Sequence, residues 1–323
     1  MKGNNMKVLI TRSIPKHYVE QLESIAEVEV YPETIQPMPR EALLESSKDK
    51  SIIISMLSDN IDRQFMDNNP DLKAVINLAV GYDNIDIDYA SSKDIIICNT
   101  PDVLTETTAE LAFTLMFVTA RRIIEANELV KEGNWVGWSP YLLAGLDVYK
   151  KTVGIFGMGN IGTALAKRCI GLNMHVQYHN RSESEAAKAL GANYVSFDKL
   201  LETSDFIICT APLTNETKNI FNKDAFKKMK SSAIFINIGR GGHVVENDLL
   251  EAIQNEEIYA AGVDVLNNEP VGKEHPFLSE KRITVLPHIG SATVDTRNAM
   301  IELCIKNAKL IIEGKKPVSE VKK

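Results

Sequence analysis

The stretch that most constrains this chain is Thr152-Val153-Gly154-Ile155-Phe156-Gly157-Met158-Gly159-Asn160-Ile161-Gly162, followed by Thr163-Ala164-Leu165-Ala166-Lys167-Arg168. An apolar run, then G-x-G-x-x-G, then a helical pattern is the strand, turn and helix that a dinucleotide-binding unit requires. Gly157 permits the tight turn, Gly159 lets the backbone approach a pyrophosphate, and Gly162 lets helix and strand pack closely. The unpaired N–H groups and positive dipole end of the helix then face the phosphates.

The flanking sequence alternates in the same way. Before this stretch, apolar runs at 7–12, 51–56, 74–79 and 95–99 alternate with helix-like segments such as Pro15 to Ile25 and Pro39 to Ser46. From Thr152, strands are expected at about 152–157, 175–180, 206–210, 233–238, 260–265 and 282–287, with helices at 161–172, 184–190, 223–230 and 246–255. Continuous apolar strands separated by helices predict an α/β fold with parallel sheets covered on both faces. Six such strands predict a doubly wound dinucleotide domain. Between the two series, Pro101 ends a strand, and Thr107 with Glu110 has capping-box spacing. One helix is expected from there to about Glu132, apolar on nearly all sides as far as Ala120 and therefore buried. Gly133 to Leu146 reads as irregular, with Trp135 and Trp138 either packed locally or carried on an arm to a neighbouring subunit. The second domain is complete by about residue 288, so a long final helix is free to return to the first domain. The expected organisation is 1–100 plus 289–323 as one domain and 101–288 as the other, with ligands bound in a cleft between them. The tail from Lys315 to Lys323 is expected to fray. Residues 1–5, before Met6, read as an extended or alternative start.

Composition removes several classes. A net charge of −7 argues against nucleic-acid binding, which needs clustered Lys and Arg. The longest apolar region, Leu111 to Ala120, is shorter than the roughly 20 residues of a membrane span. No signal-peptide pattern stands at the N-terminus. Cys98, Cys169, Cys209 and Cys304 form no C-x-x-C pair and read as buried free thiols. A cytoplasmic protein, touching neither membrane nor nucleic acid and holding no metal, is expected.

The second Rossmann strand, His175 to His179, ends in Asn180-Arg181-Ser182. An NAD-binding unit places an acid near this point to hold the ribose hydroxyls. Arg181 would instead pair with a 2′-phosphate that a carboxylate would repel. NADP(H) is therefore expected over NAD(H), the alternative being that Arg181 is a solvated loop residue.

Three strand ends in the second half carry chemistry: Ile238-Gly239-Arg240-Gly241-Gly242, Asp264 followed by Asn268-Glu269-Pro270, and Pro287-His288-Ile289-Gly290-Ser291. Ligands of doubly wound sheets sit beyond the carboxyl ends of the strands, so these residues can converge there. Hydride transfer to a ketone builds negative charge on its oxygen, and a protonated histidine can donate to it. A carboxylate beside the histidine favours the imidazolium and orients the ring. An arginine can hold a substrate carboxylate through two parallel hydrogen bonds. Taken singly, Arg240 could be a surface ion-pair partner, Glu269 a loop acid and His288 a core histidine; together beside a cofactor fingerprint they read as a catalytic set.

These segments resemble the D-isomer-specific 2-hydroxyacid dehydrogenases. The resemblance runs through Asn77 to Asp86, Asn99 to Ala112, Gly157 to Gly162, Phe235 to Gly241, Ala261 to Pro270 and Pro287 to Thr293. It implies a Rossmann domain inserted into a flavodoxin-like substrate domain and a homodimer built around the Rossmann domains. It places the Arg/Glu/His triad on Arg240, Glu269 and His288, and the nicotinamide-amide contact on Asp264. Thr108, Pro212, Ile238 and Gly290 join the glycine loop and Asn180, Arg181 and Ser182 as cofactor contacts. The substrate carboxylate is implied to lie on the Val80 and Gly81 amides and Arg240, with Leu57, Ser291 and His288 nearby. Within the family, the Asn180-Arg181-Ser182 run, the Pro287-to-Thr293 run, and Trp138, similar to a tryptophan that reaches the partner's active site, point to glyoxylate/hydroxypyruvate reductases. These reduce a small 2-oxo acid to the D-2-hydroxy acid, with hydride from NADPH and the proton from His288. The alternatives are 2-ketogluconate, D-lactate or D-3-phosphoglycerate specificity, or a non-catalytic corepressor-like protein that binds NAD(P). The lack of a regulatory extension after residue 323 makes the longer phosphoglycerate enzymes a poorer match, and Glu269 itself disfavours the formate dehydrogenases, which carry an amide there.

Overall fold

In a computed structural model the chain is described over residues 6–322 and divides into two units, Met1–Leu104 with Ala292–Lys323, and Thr105–Ser291. The alternative start at residues 1–5 lies outside the described residues. The unit boundaries fall a few residues beyond the expected 100 and 288. Ile289 and Gly290 stay with the second unit because their N–H groups donate to the Asp264 carboxylate.

The first unit is a five-stranded parallel sheet. Its strands are β1 (Lys7–Ile10), β2 (Glu27–Val30), β3 (Ile52–Ser55), β4 (Ala74–Asn77) and β5 (Ile96–Cys98), in the order β2-β1-β3-β4-β5. That order is the flavodoxin-like one. Strands β3 and β4 are buried throughout, as their unbroken apolar runs require. Strand β2 is absent from the sequence expectation. It is an edge strand paired with β1 alone, half exposed, and its Glu-Val-Glu-Val lacks the apolar run that marks a buried strand. The helix Val294–Ile312 belongs to this unit and packs on the helix Lys16–Glu23 and on β4.

The tail corrects the expectation of fraying. Val321 donates its N–H to the Ile97 carbonyl at 2.8 Å, and the Ser319 hydroxyl donates to the Asn99 carbonyl at 2.7 Å. The buried Asn307 amide reaches the Ser319 hydroxyl at 2.6 Å and accepts from the Val318 N–H at 2.9 Å. The chain after the helix is thus fastened to the edge of β5.

The second unit is a seven-stranded parallel sheet of β6 (Thr152–Phe156), β7 (His175–His179), β8 (Asn193–Tyr194), β9 (Phe206–Cys209), β10 (Ile234–Asn237), β11 (Ala260–Val263) and β12 (Ile283–Val285). The order β12-β11-β10-β9-β6-β7-β8 is doubly wound, with its switch point between β6 and β9. Two cores lie on opposite faces. Val153, Ile155, Ile208, Ile234 and Ile236 pack under the helices Thr105–Ala120 and Asn160–Gly171. Ile207, Cys209, Phe235, Ala261 and Val263 pack under the helices Phe197–Thr203, Lys223–Lys228 and Glu246–Gln254. The alternation along each strand is the period-two consequence of pleating. The seventh strand, β8, is two exposed residues and left no apolar run to find.

The single helix expected to reach Glu132 is two helices. Thr105–Ala120 begins two residues before Thr107, which therefore stands inside the first turn and not at a cap. Arg122 adopts φ 52° and the chain restarts as Ile123–Lys131. The break comes from the returning chain: Leu146 donates to the Ala120 carbonyl at 2.8 Å, and Gly145 lies so close that a Cβ there would meet that oxygen at 2.1 Å. Among the described residues, no helix is long and apolar enough to cross a membrane.

Candidate active site

The glycine turn follows β6 at the switch point of the second unit. Gly157 has φ +103°, and a Cβ there would lie 2.5 Å from the Ala211 backbone, so this turn admits only glycine. Gly162 faces the Gly157 carbonyl at 2.4 Å from a would-be Cβ, which sets how closely helix and strand approach. Gly159 is different: a Cβ there would meet nothing within 4 Å. As N-cap of the helix Asn160–Gly171 it also supplies no side-chain acceptor to the first-turn N–H groups. An open space ahead of a helix N-terminus fits a pyrophosphate. Met158 is buried, and Ile161 packs against the helix-side core.

At the end of β7, Asn180 turns towards the glycine loop. Its Oδ1 accepts from the Met158 N–H at 2.6 Å. Arg181 and Ser182 are exposed just beyond, with no acid at the strand end. Pro212 follows β9, and its carbonyl accepts from the Thr217 hydroxyl at 2.9 Å. Ile238 is buried after β10, its N–H donating to the Cys209 carbonyl at 3.2 Å.

The three neighbouring strands β10, β11 and β12 deliver Arg240, Glu269 and His288 from their carboxyl ends. His288 Nδ1 lies 2.7 Å from Glu269 Oε2. The other carboxylate oxygen, Oε1, accepts from the Leu266 N–H at 2.7 Å. Burial works to raise the Glu269 carboxyl. The hydrogen bond and charge of His288, the Leu266 amide and Arg240 outweigh it and hold the carboxyl below its ordinary range. Glu269 is therefore an anion, and the imidazole N–H on Nδ1 points at it. The remaining nitrogen, Nε2, makes no hydrogen bond among the described residues, and the side chain is 23% exposed. It is the atom available to pass a proton.

His288 itself has φ +56°, uncommon for a residue with a Cβ. Asp264, 1% exposed, imposes it. The Asp264 carbonyl accepts from the His288 N–H at 2.9 Å, Oδ1 from Ile289 N–H at 2.7 Å, and Oδ2 from Gly290 N–H at 2.8 Å. Burial pushes this carboxyl up, against the pull of the two amides and His288. Thr108 completes this corner: a Cβ on Gly290 would lie 3.3 Å from Asp264 Oδ2 and 3.5 Å from the Thr108 methyl.

Arg240 is positioned through its backbone. Asn237, fully buried at the end of β10, donates from Nδ2 to the Arg240 carbonyl at 2.9 Å and accepts the Gly239 N–H at 3.0 Å. Gly241 lies against the Leu266 backbone, where a Cβ would be 2.1 Å from the carbonyl carbon, so the arginine loop abuts the turn that carries Glu269. Asn237 and the buried His243 escaped the sequence reading. Their signal was only their spacing, three residues either side of Arg240.

In the first unit, Val80 and Gly81 follow β4. Their carbonyls accept from Asn99 and Asn77 at 2.8 Å each, while their two successive N–H groups donate to nothing among the described residues. Adjacent unpaired amides of this kind form an anion nest. Leu57 is 38% exposed in the loop after β3, which Asn84 ties down by donating to the Asp59 carbonyl at 2.9 Å. Ser291 is the last residue of the second unit. Trp138 is 82% exposed and joins no other site residue. All four cysteines are buried and free, and burial lifts the Cys98, Cys169 and Cys209 thiols to about 12 and Cys304 upward too, so none is a nucleophile. Among the described residues no cluster of His, Cys, Asp or Glu could hold a metal.

A doubly wound sheet with an open glycine turn and a Glu-held histidine at its carboxyl edge defines a nicotinamide-dependent oxidoreductase. Residues 113–290, over half of the chain, match the D-isomer specific 2-hydroxyacid dehydrogenase, NAD binding domain family. The glyoxylate reductase of Thermococcus kodakarensis is 44% identical, covering 98% of this chain and 96% of its own. The glyoxylate/hydroxypyruvate reductase B of Cronobacter sakazakii is 42% identical over 93% of each. A crystal structure of the NADPH-dependent glyoxylate/hydroxypyruvate reductase of Sinorhizobium meliloti, in complex with NADP and malonate, matches with a TM-score of 0.88 at 33% identity, covering 98% of this chain and 97% of that one. The chain belongs to the D-isomer-specific 2-hydroxyacid dehydrogenase family. It is an enzyme that reduces 2-oxo acids with NAD(P)H.

Proposed function

We propose that the chain reduces glyoxylate or hydroxypyruvate to the D-2-hydroxy acid and prefers NADPH. The observation that carries the catalytic part is His288 bound through Nδ1 to an ionised Glu269 with Nε2 uncommitted. The glycine loop and Thr108, Asp264 and Gly290 hold the dinucleotide; when bound, its reduced nicotinamide supplies the hydride. In the second unit Arg240, with Ser291 at the end of the same sheet edge, holds the substrate carboxylate. In the first unit the Val80 and Gly81 amides, with Leu57 in the loop after β3, offer an anion nest of the same chemistry. His288 Nε2 donates its proton to the carbonyl oxygen as charge develops there, and Glu269 stabilises the imidazolium beforehand. In the reverse direction the same nitrogen accepts the proton.

The cofactor preference rests on Arg181 and Ser182, exposed at a strand end without an acid, and on Asn180, whose Oδ1 is taken by the glycine loop. A homodimer through the second units, with Trp138 reaching the partner's site, is supported by the exposure of Trp135, Trp138 and Tyr141 at 58%, 82% and 86% in the single chain. A cytoplasmic setting belongs to the same proposal. The test is oxidation of NADPH and NADH against glyoxylate, hydroxypyruvate, pyruvate and 2-ketogluconate. Higher kcat/KM for the first two acids and for NADPH is expected. Equal values for the two cofactors would remove the role given to Arg181. No turnover with any acid, despite tight NADPH binding, would favour a corepressor-like binding protein.

A further inference from the structure

His243 is fully buried, yet it is an imidazole and none of the chemistry above uses it. Buried polar rings persist where each nitrogen has a partner. Its Nδ1 lies 3.1 Å from the Arg240 backbone nitrogen and 2.9 Å from the Arg240 carbonyl, and its Nε2 lies 3.2 Å from the Pro212 carbonyl. The Arg240 carbonyl already receives the Asn237 amide at 2.9 Å. The Pro212 carbonyl can only accept and the Arg240 N–H can only donate, so the tautomer that fits both carries its proton on Nε2: Nε2–H donates to Pro212 and the Nδ1 lone pair accepts the Arg240 N–H. The ring also lies against the loop itself, since a Cβ on Gly239 would come 3.1 Å from His243 Cε1.

The backbone of Arg240 is therefore held on both sides of its Cα, its carbonyl by Asn237 and its N–H by His243. The second nitrogen of the ring ties this grip to the loop after β9. Bonds to a ring that is itself fully buried are strong and hold their geometry. We propose that His243 is a positioning residue that sets the backbone of Arg240, and through it the direction of the guanidinium, without touching substrate. This rests on the reading that Arg240 holds the 2-oxo acid carboxylate.

The test compares variants that separate the two ring nitrogens. His243→Asn puts an amide oxygen where Nδ1 stands and keeps an acceptor for Arg240, but cannot reach Pro212. His243→Gln reaches towards Pro212 and loses that acceptor, and His243→Leu keeps neither. Removing the ring acceptor of the Arg240 N–H should raise KM for the 2-oxo acid about ten- to hundredfold in the Leu and Gln variants. The Kd for NADPH, read by nucleotide fluorescence, should stay within threefold. His243→Asn should return KM to within about threefold of wild type. If the Leu variant does not fold, the Asn-against-Gln comparison decides alone. Equal KM in the Asn and Gln variants, or an unchanged KM in Leu, overturns the proposal. Arg240→Gln measured alongside separates the two readings. If Arg240→Gln leaves KM unchanged, the carboxylate reading has failed. If it raises KM and His243→Leu does not, the positioning role has failed. In the double variant, His243→Leu should add no further KM loss to Arg240→Gln; full additivity overturns the proposal as well.

Discussion

Glu269→Gln is the most informative single substitution. The carboxylate serves two donors, one per oxygen: Leu266 N–H on Oε1 and His288 Nδ1–H on Oε2, both at 2.7 Å. An amide keeps one acceptor oxygen and presents an NH2 to the other donor, so one bond is lost and the negative charge with it. Two opposite unit charges at 2.7 Å attract by roughly 6 kcal/mol at an effective dielectric of about 20. The two side chains are 26% and 23% exposed, so solvent screening brings this to about 2–3 kcal/mol. At 1.36 kcal/mol per factor of ten, that is a loss of about 30- to 100-fold in reductive kcat/KM. The pH dependence follows from the carboxyl itself. His288, the Leu266 amide and Arg240 hold it below its ordinary range, so the anion and its contact persist until the pH falls below that range. The advantage of the wild-type enzyme over Glu269→Gln should therefore be full at neutral pH and shrink on the acid side as the carboxylate takes up a proton. Steady-state NADPH absorbance from about pH 3 to 8 measures it. Near-equal activity of the two enzymes at neutral pH, or a ratio that stays constant to the lowest pH, would refute the electrostatic role.

His288→Gln should reduce kcat by about 10²- to 10⁴-fold, the usual worth of a general acid, while NADPH still binds in fluorescence titration; near-normal turnover would remove His288 from the chemistry. Gly157→Ala and Gly159→Ala should separate folding from binding. The first meets the Ala211 backbone at 2.5 Å in a left-handed conformation and should cost about 2–4 kcal/mol, read as a fall in Tm. The second meets nothing in the protein and should leave Tm within about 2 °C. Its methyl enters the pyrophosphate space and should weaken NADPH at least tenfold; unchanged affinity would place the phosphates elsewhere.

What the sequence discloses here follows a physical rule. Strands buried on both faces, such as Ile234-Phe235-Ile236, must be apolar at every position and so announce themselves, and the residues just after them inherit a place at the carboxyl edge. Arg240, Glu269 and His288 were legible for that reason. Edge strands have no such obligation: Glu27-Val28-Glu29-Val30 and Asn193-Tyr194 pair through backbone groups common to every residue. The break at Arg122 was hidden because its cause, Leu146 bonded to Ala120, lies a loop away. Asp264 read as a cofactor contact, but its grip on Ile289 and Gly290, which places the His288 ring, joins groups 25 and 26 residues apart. Asn180 likewise read as a ligand of the nucleotide, and its bond to Met158 is visible only once two strand ends lie side by side.

The fastening of Ser319 and Val321 onto β5 bears on how the chain is made. The first 104 residues leave the ribosome with a sheet whose covering helix, Val294–Ile312, has yet to be translated. All of Thr105–Ser291 comes between, which at about 5–20 residues per second is roughly ten to forty seconds. At the end of that interval the second unit has every strand it needs, whereas the first still exposes the apolar surface that Met300, Ile301, Cys304 and Ile305 later bury. The sheet of the first unit is thus finished after that of the second, and the nascent protein passes through a stage in which the dinucleotide fold has all its strands while the other sheet still lacks its covering helix.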